Sequence, residues 1–166
     1  PDLRAAVTEL TTHDAQQRPR ERDHALVRRR VPAPVLPEPE WLAPGTSSSP
    51  MVAIDRHFVR LVEANPGLRP RVGNPDELRS NKLDATLDLL HHRVHDPEAG
   101  VAESRVGGVI TALNEEAVVC AALANKGGLN LVVTYEAFAP KMLGAMRQEI
   151  IFTRHLADAG REPGWL

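Results

Sequence analysis

The chain has 166 residues, 42% of them hydrophobic and 25% charged, with a formal net charge of −2 and a single cysteine. The length suits about one domain with its own packed core, and the slightly acidic balance argues against a nucleic-acid surface. One cysteine excludes an internal disulfide and fits a reducing, cytoplasmic setting; no run of about 18 apolar residues marks a membrane span, and no basic-then-apolar start reads as a signal peptide. The sequence does not open on Met and stops at GREPGWL without a clear closing element, so a piece of a longer polypeptide is expected.

Residues 1–30 are polar and charged. Leu3, Val7 and Leu10 could line one face of a short helix. The stretch QQRPRERDHALVRRR that follows is basic and almost without apolar periodicity. Arg28, Arg29 and Arg30 there read as an anion or nucleic-acid contact or, more simply, as a solvated face. Residues 31–50, VPAPVLPEPEWLAPGTSSSP, hold six prolines. Proline fixes φ and removes a donor, so neither helix nor central strand is expected, only an extended connector. Val35, Leu36, Trp41 and Leu42 make it too apolar for a free linker, and it is expected to lie along a domain surface.

The spacing of Met51, Ile54, Phe58, Leu61 and Val62 predicts a helix over 51–64, stopped by Asn65-Pro66-Gly67. His57 beside that stripe reads as a surface histidine. Arg71 to Gly73 reads as a short strand and Asn74-Pro75-Asp76 as a turn. Ser80 or Asn81 then opens or interrupts a helical stretch with Leu83, Leu87 and Leu90 as its stripe. His91 and His95 have the i, i+4 spacing of two metal ligands on one helix face, but no acidic HExxH-type partner accompanies them, and no metal site is assigned. Residues 95–108, HDPEAGVAESRVGG, read as a polar loop.

The short β-branched run from Val109 to Leu113 suits a buried strand of a parallel sheet. Asn114 is a good N-cap type, and Glu115 and Glu116 fall in the first turn of the next helix, where negative charge is favoured by about 0.3–1 kcal/mol. Val118, Val119, Ala122 and Leu123 face inward, and Asn125-Lys126-Gly127-Gly128 closes the helix. Residues 129–134 predict a second buried strand. From Glu136 or Ala137 to about Ala159 a long helix is expected, with Phe138, Met142, Leu143, Met146, Ile150, Ile151 and Leu156 forming a wide, deeply packed face. The βαβα order implies an α/β domain with a mostly parallel sheet and flanking helices.

Motifs for chemistry are few. There is no GxGxxG, no GxxxxGK[ST] and no GxSxG. Lys126-Gly127-Gly128 reads as a helix cap rather than a phosphate cradle, and Cys120 as a small core residue. The carboxylates remain. In open α/β sheets ligands bind beyond the carboxyl ends of the strands. Glu115 directly follows a strand and a turn, so its side chain could face such a crevice, or it could be an ordinary helix start like Glu116. Spacing leaves both readings open.

Three blocks in order, VGNPDELRSNKLDATLDLL at 72–90, VITALNEEA at 109–117 and VVTYEAFAPKMLGAMRQE at 132–149, resemble phosphoketolases. These are thiamine-diphosphate enzymes acting on xylulose 5-phosphate or fructose 6-phosphate. Their G-P-D-E followed by S-N appears as Gly73-Asn74-Pro75-Asp76-Glu77 and Ser80-Asn81. Their L-S-E-H appears as Leu113-Asn114-Glu115-Glu116, and their S-Y-E-S/A-F as Thr134-Tyr135-Glu136-Ala137-Phe138. The resemblance covers about 50–166. It implies an N-terminal segment and linker over 1–50 and the first part of a pyrimidine-binding domain over 51–166. It also implies thiamine diphosphate and Mg2+, whose diphosphate and metal ligands lie outside these residues, in a homodimer or larger homo-oligomer with the cofactor at the subunit interface. The implied reaction splits a ketose phosphate with inorganic phosphate into acetyl phosphate and an aldose phosphate, a reaction this piece alone is not expected to perform. Glu115 matches the catalytic glutamate that hydrogen-bonds the aminopyrimidine ring, Tyr135 a tyrosine near cofactor and substrate, and Ser80 a serine near the substrate phosphate. The sequence departs from the pattern at Glu116, where the family has histidine, and at ANKGG, where it has a TGR-G loop. A thiamine-diphosphate ketol or acyl transferase with another acceptor, or a non-catalytic dimerising scaffold, are the alternatives.

Overall fold

The computed structural model describes residues 2–23 and 32–160. They divide into two units, Pro1–Pro32 and Ala33–Leu166. In the first, α1 (Leu3–Asp23) runs for 21 residues, longer than the short helix expected. Within it the hydroxyls of Thr8 and Thr11 bond back to the carbonyls of Arg4 and Val7 one turn earlier, at 2.9 and 2.8 Å. Leu3, Val7 and Leu10 are all exposed. Arg28, Arg29 and Arg30 lie outside the described residues.

In the second unit, residues 32–49 form neither helix nor strand, as their prolines require. The connector is held to its own domain by polar groups rather than by its apolar side chains. Asn65 accepts from Val35 N at 2.7 Å and donates to Val35 O at 2.8 Å, and Glu40 pairs with Arg60 at 3.6 Å. Val35, Leu36, Leu42 and Trp41 stay exposed, Trp41 at 86%.

Helix α2 (Pro50–Ala64) starts where Ser49 accepts from Met51 N and Pro50 supplies a preset φ at the first position, and it ends at Asn65. Phe58 is buried, with Met51, Leu61 and Val62 packed beside it, whereas Ile54 is exposed and Asp55 is buried instead. The sheet follows: β1 (Pro70–Asn74), β2 (His92–Arg93), β3 (Glu103–Ser104), β4 (Val109–Thr111) and β5 (Leu129–Val132). All neighbours are parallel, in the order β3-β2-β4-β1-β5, with Val72 opposite Val109 on one side and Leu131 on the other. The fold is α/β, as the residue pattern implies.

Two of these strands lie where a helix end and a loop were expected. Helix α3 (Asp84–Leu90) begins later than Ser80 or Asn81 and stops at His91, whose φ of 58° turns the chain into the left-handed region. His92 is then in β2, so His91 and His95 do not share a helix face. β3 lies inside the polar stretch 95–108, paired through backbone alone, with His92 N on Ala102 O at 2.8 Å and Val94 N on Ser104 O at 3.1 Å. Burial, reinforced by Arg79 and opposed by Glu103, holds the His92 imidazole below its ordinary value of 6.5. A lowered histidine pKa stabilises the fold fully above the unfolded value and loses that contribution as pH falls below it. The His92→Gln variant is therefore expected to lose stability less steeply than the parent between about pH 7 and 5, followed by urea titration at each pH.

The helices cover both faces. On one, Phe58, Val72, Leu78, Leu83, Leu87, Val109 and Val133 form the larger core. On the other, α4 (Glu115–Leu123) lies against β1 through Val118 and Val119, joined by Met142 and Ala145. Cys120 is on the outer side of α4 and exposed, not a core residue. A Cβ at Gly73 would come within 2.7 Å of Val118 O and 3.1 Å of Val118 Cβ, so glycine is what lets α4 approach β1. Gly73→Ala is expected to destabilise the domain by about 1–3 kcal/mol, read as a lower urea midpoint at unchanged m value.

The single long helix expected after β5 is two elements: a 3₁₀ helix (Glu136–Met142) and α5 (Leu143–Asp158). Pro140 has no N–H to give and its ring crowds the carbonyl of Glu136, so one continuous α-helix through this stretch is disfavoured. The wide apolar face does not pack deeply. Met142 and Ala145 are buried, but Leu143, Met146, Ile150, Ile151 and Phe152 are exposed, because α5 packs on α4 beside the outermost strand β5 and has little else to cover.

Candidate active site at the carboxyl edge of the sheet

The chain leaves β1 at Asn74, β4 at Thr111 and β5 at Val132, all at one edge of the parallel sheet. The segments just past these three ends carry Ser80, Glu115 and Tyr135, the three site residues that the family resemblance implies. From β4, two residues lead to Asn114, whose side chain accepts from Ala117 N at 2.8 Å and caps α4. The cap fixes the first helical turn, and the turn separates the two glutamates. The Glu115 side chain is drawn in, only 12% exposed. Glu116 stays exposed and its Oε1 lies against Gly144 at the start of α5, 2.9 Å from where a Cβ would stand.

Glu115 Oε1 accepts from Lys141 Nζ at 3.5 Å, and the same ammonium sits 4.6 Å from the centre of the Phe138 ring. Both partners come from the 3₁₀ helix that follows β5. Tyr135 is the residue immediately before that helix, and its backbone carbonyl accepts from Phe138 N at 2.9 Å.

Ser80 and Tyr135, 55 positions apart, are brought together: Ser80 Oγ and Tyr135 OH are 2.7 Å from each other. Ser80 Oγ also donates to Glu77 O at 2.6 Å, and Asn81 Nδ2 to the same carbonyl at 3.1 Å, so the turn after β1 is held in shape by its own side chains. Glu115 makes no contact with this pair. It is tied instead to the 3₁₀ helix that Tyr135 precedes, so one short element links the two halves of the site.

Sequence reasoning did not single out Lys141, Asn74, Asp76 or Thr134. Asn74 is fully buried and gives Nδ2 to Val133 O at 3.1 Å, which pins the end of β1 to the chain leaving β5. Its Oδ1, together with Asp76 Oδ2 and Thr134 Oγ1, is buried with no hydrogen-bond partner. Unsatisfied buried polar atoms are uncommon in folded proteins, and each calls for a partner such as a water, an ion or a ligand; His57 Nδ1, Thr86 Oγ1 and Thr153 Oγ1 are in the same state elsewhere in the domain. Asn74, Asp76 and Thr134 all lie at or just past the carboxyl ends of β1 and β5. Asp76 and Thr134 stand inside the sequence blocks quoted above, but nothing in residue spacing distinguishes a buried oxygen from a solvated one. Lys141 carries no periodicity signal; its position follows from the 3₁₀ path of the segment after β5.

These residues make this edge polar: the drawn-in carboxylate of Glu115, three further buried oxygens without partners, and two hydroxyls already in contact. The edge suits a ligand rich in donors or carrying positive charge. Among the described residues, no group of three or more His, Cys, Asp and Glu side chains is arranged to hold a metal ion, and no helix is long and apolar enough to cross a membrane.

The family model described as D-xylulose 5-phosphate/D-fructose 6-phosphate phosphoketolase matches residues 52–166. The match takes in α2 from its third residue, the whole sheet and every site residue described above. No curated protein matches the chain.

Proposed function

The chain belongs to the phosphoketolase family, and from that premise we propose that it forms the pyrimidine-binding wall of a thiamine-diphosphate site that cleaves a ketose phosphate. The observation that carries this reading is the placement of Glu115: a carboxylate on a capped helix start, 12% exposed, beyond the end of a parallel strand. When bound, thiamine diphosphate supplies the nucleophilic carbon and electron sink that breaking a bond next to a ketone requires. The residues present fit its aminopyrimidine and positively charged ring, since Glu115 and the unpaired oxygens of Asn74, Asp76 and Thr134 offer acceptors where that ring system has donors and charge.

In this reading Glu115 holds a proton at its carboxylate opposite the ring nitrogen and shares it there, which orients the ring and sets its basicity. Ser80 and Tyr135, already hydrogen-bonded, direct their hydroxyls toward the sugar phosphate. The diphosphate and Mg2+ are held by residues outside this chain segment, from the preceding domain or a second subunit, and inorganic phosphate is the acyl acceptor. The products are acetyl phosphate and an aldose phosphate, made in the cytoplasm by a homodimer or larger homo-oligomer.

The test uses the complete polypeptide with thiamine diphosphate, Mg2+ and phosphate. Acetyl phosphate formed from xylulose 5-phosphate or fructose 6-phosphate is the expected result. Cofactor binding without acetyl phosphate from either sugar would transfer the assignment to a ketol or acyl transferase with another acceptor, a reading favoured only by the carboxylate of Glu116 where the family has histidine. Absence of cofactor binding would leave the scaffold reading.

A further inference from the structure

The contact between Glu115 and Lys141 is not explained by helix capping, because Asn114 already caps α4 and the lysine comes from a different element. Lys141 is 60% exposed and could reach solvent freely; it is instead turned toward a carboxylate that is only 12% exposed. Two attractions hold it there, the carboxylate at 3.5 Å and the Phe138 ring face at 4.6 Å. Only Oε1 of Glu115 is engaged, and Glu115 makes no other side-chain hydrogen bond among the described residues. The second oxygen is therefore available for a ligand while the first is fixed.

We propose that Lys141, steadied by the ring of Phe138, is a positioning residue that fixes the carboxylate of Glu115 for the aminopyrimidine of thiamine diphosphate. The proposal rests on the reading of Glu115 given above. A glutamate at the first position of a helix has several staggered rotamers open to it, and some carry the carboxylate out to solvent. The ion pair selects one. It does so from the 3₁₀ helix whose preceding residue, Tyr135, touches Ser80, so cofactor-facing and sugar-facing groups are set by one seven-residue element. Preorganisation of this kind lowers the ordering cost that binding would otherwise incur.

The experiment is a double-mutant cycle on the complete polypeptide, with the equilibrium dissociation constant of thiamine diphosphate measured by titration calorimetry in the presence of Mg2+. An exposed-to-half-buried pair of this geometry corresponds to an effect of about two- to fivefold, so Lys141→Met is expected to weaken binding by that factor. Lys141→Arg, which keeps the charge, is expected to restore it. In a Glu115→Gln background, Lys141→Met is expected to produce no further change, because the charge it positions is gone. Unfolding midpoints measured alongside show that each variant is folded. Tighter or unchanged binding in Lys141→Met, or the same factor in both backgrounds, would overturn the positioning role while leaving the cofactor assignment intact. Failure of the parent protein to bind thiamine diphosphate would overturn both.

Discussion

Glu115→Gln is expected to lower the turnover of the complete enzyme by about 10²- to 10⁴-fold with little change in stability. Glutamine keeps the length and shape of the side chain, so the first turn of α4 and its Asn114 cap remain. What is lost for stability is a negative charge at a helix N-terminus, about 0.3–1 kcal/mol, and a partly exposed ion pair, about 0–1 kcal/mol. What is lost for chemistry is the only drawn-in carboxylate at the start of α4, and with it a group that can hold a proton and share it. The neighbouring Glu116→Gln is the matched control. That side chain is exposed and rests on Gly144, so its replacement is expected to leave turnover within about twofold, a few tenths of a kcal/mol. An unchanged rate in Glu115→Gln would remove this residue from the mechanism. Loss in Glu116→Gln alone would show that the helix presents the other carboxylate to the substrate.

The pair of glutamates also shows what the residue pattern carries and what it does not. The strand, the asparagine cap and the acidic first turn are local features, and all three form where the residue pattern places them, although the strand stops at Thr111 and Leu113 is 95% exposed. β1 and α2 likewise form where they are expected, with Ile54 of the α2 stripe left outside the core. Which glutamate points inward is not local. It depends on Lys141 arriving from a segment 26 positions away, where a 3₁₀ helix stands in place of the continuous helix that periodicity implies. β2 and β3 were illegible for a related reason. Each is two residues long and held by backbone pairing, so there is no alternating pattern to read. The apolar face of α5 was legible as a face but not as an exposed one, since burial depends on what lies opposite. Cys120 fails the same way: beyond its two glutamates its helix is apolar all round, so residue type does not mark the outer side on which the cysteine falls.

The least legible residue with a large effect is Asp55. In the sequence it sits one position beyond Ile54, which the helical stripe claims for the core; in the structure Ile54 is exposed and Asp55 is 4% exposed. The reason is the start of α3. Its own cap position is Leu83, which offers no acceptor, so the first amides of α3 need one from elsewhere. Asp55 reaches across from α2 and accepts from Ala85 N at 2.9 Å and Thr86 N at 2.8 Å. Its charge faces the positive end of the helix, which favours it further. Asp55→Ala leaves both amides without this partner, that of Thr86 in a buried place and that of Ala85 in a partly buried one. At about 1.5–3 kcal/mol for each hydrogen bond to a charged group, the expected loss is about 3–5 kcal/mol, measured by urea unfolding. Asp55→Asn keeps an acceptor for one of the two amides and is expected to lose about half as much. The effect should also reach the site. Helix α3 follows the turn that carries Ser80, and Arg79 in that turn pairs with Asp84 and Asp88 on α3 at 3.0 and 2.6 Å. A frayed α3 start loosens the Ser80 side of the Ser80–Tyr135 contact while Glu115, on the opposite face of the sheet, keeps its support. Sugar-phosphate KM is therefore expected to rise more than kcat falls in Asp55→Asn. A midpoint unchanged in Asp55→Ala, or an asparagine variant as damaging as alanine, would show that Asp55 is buried for some reason other than capping α3.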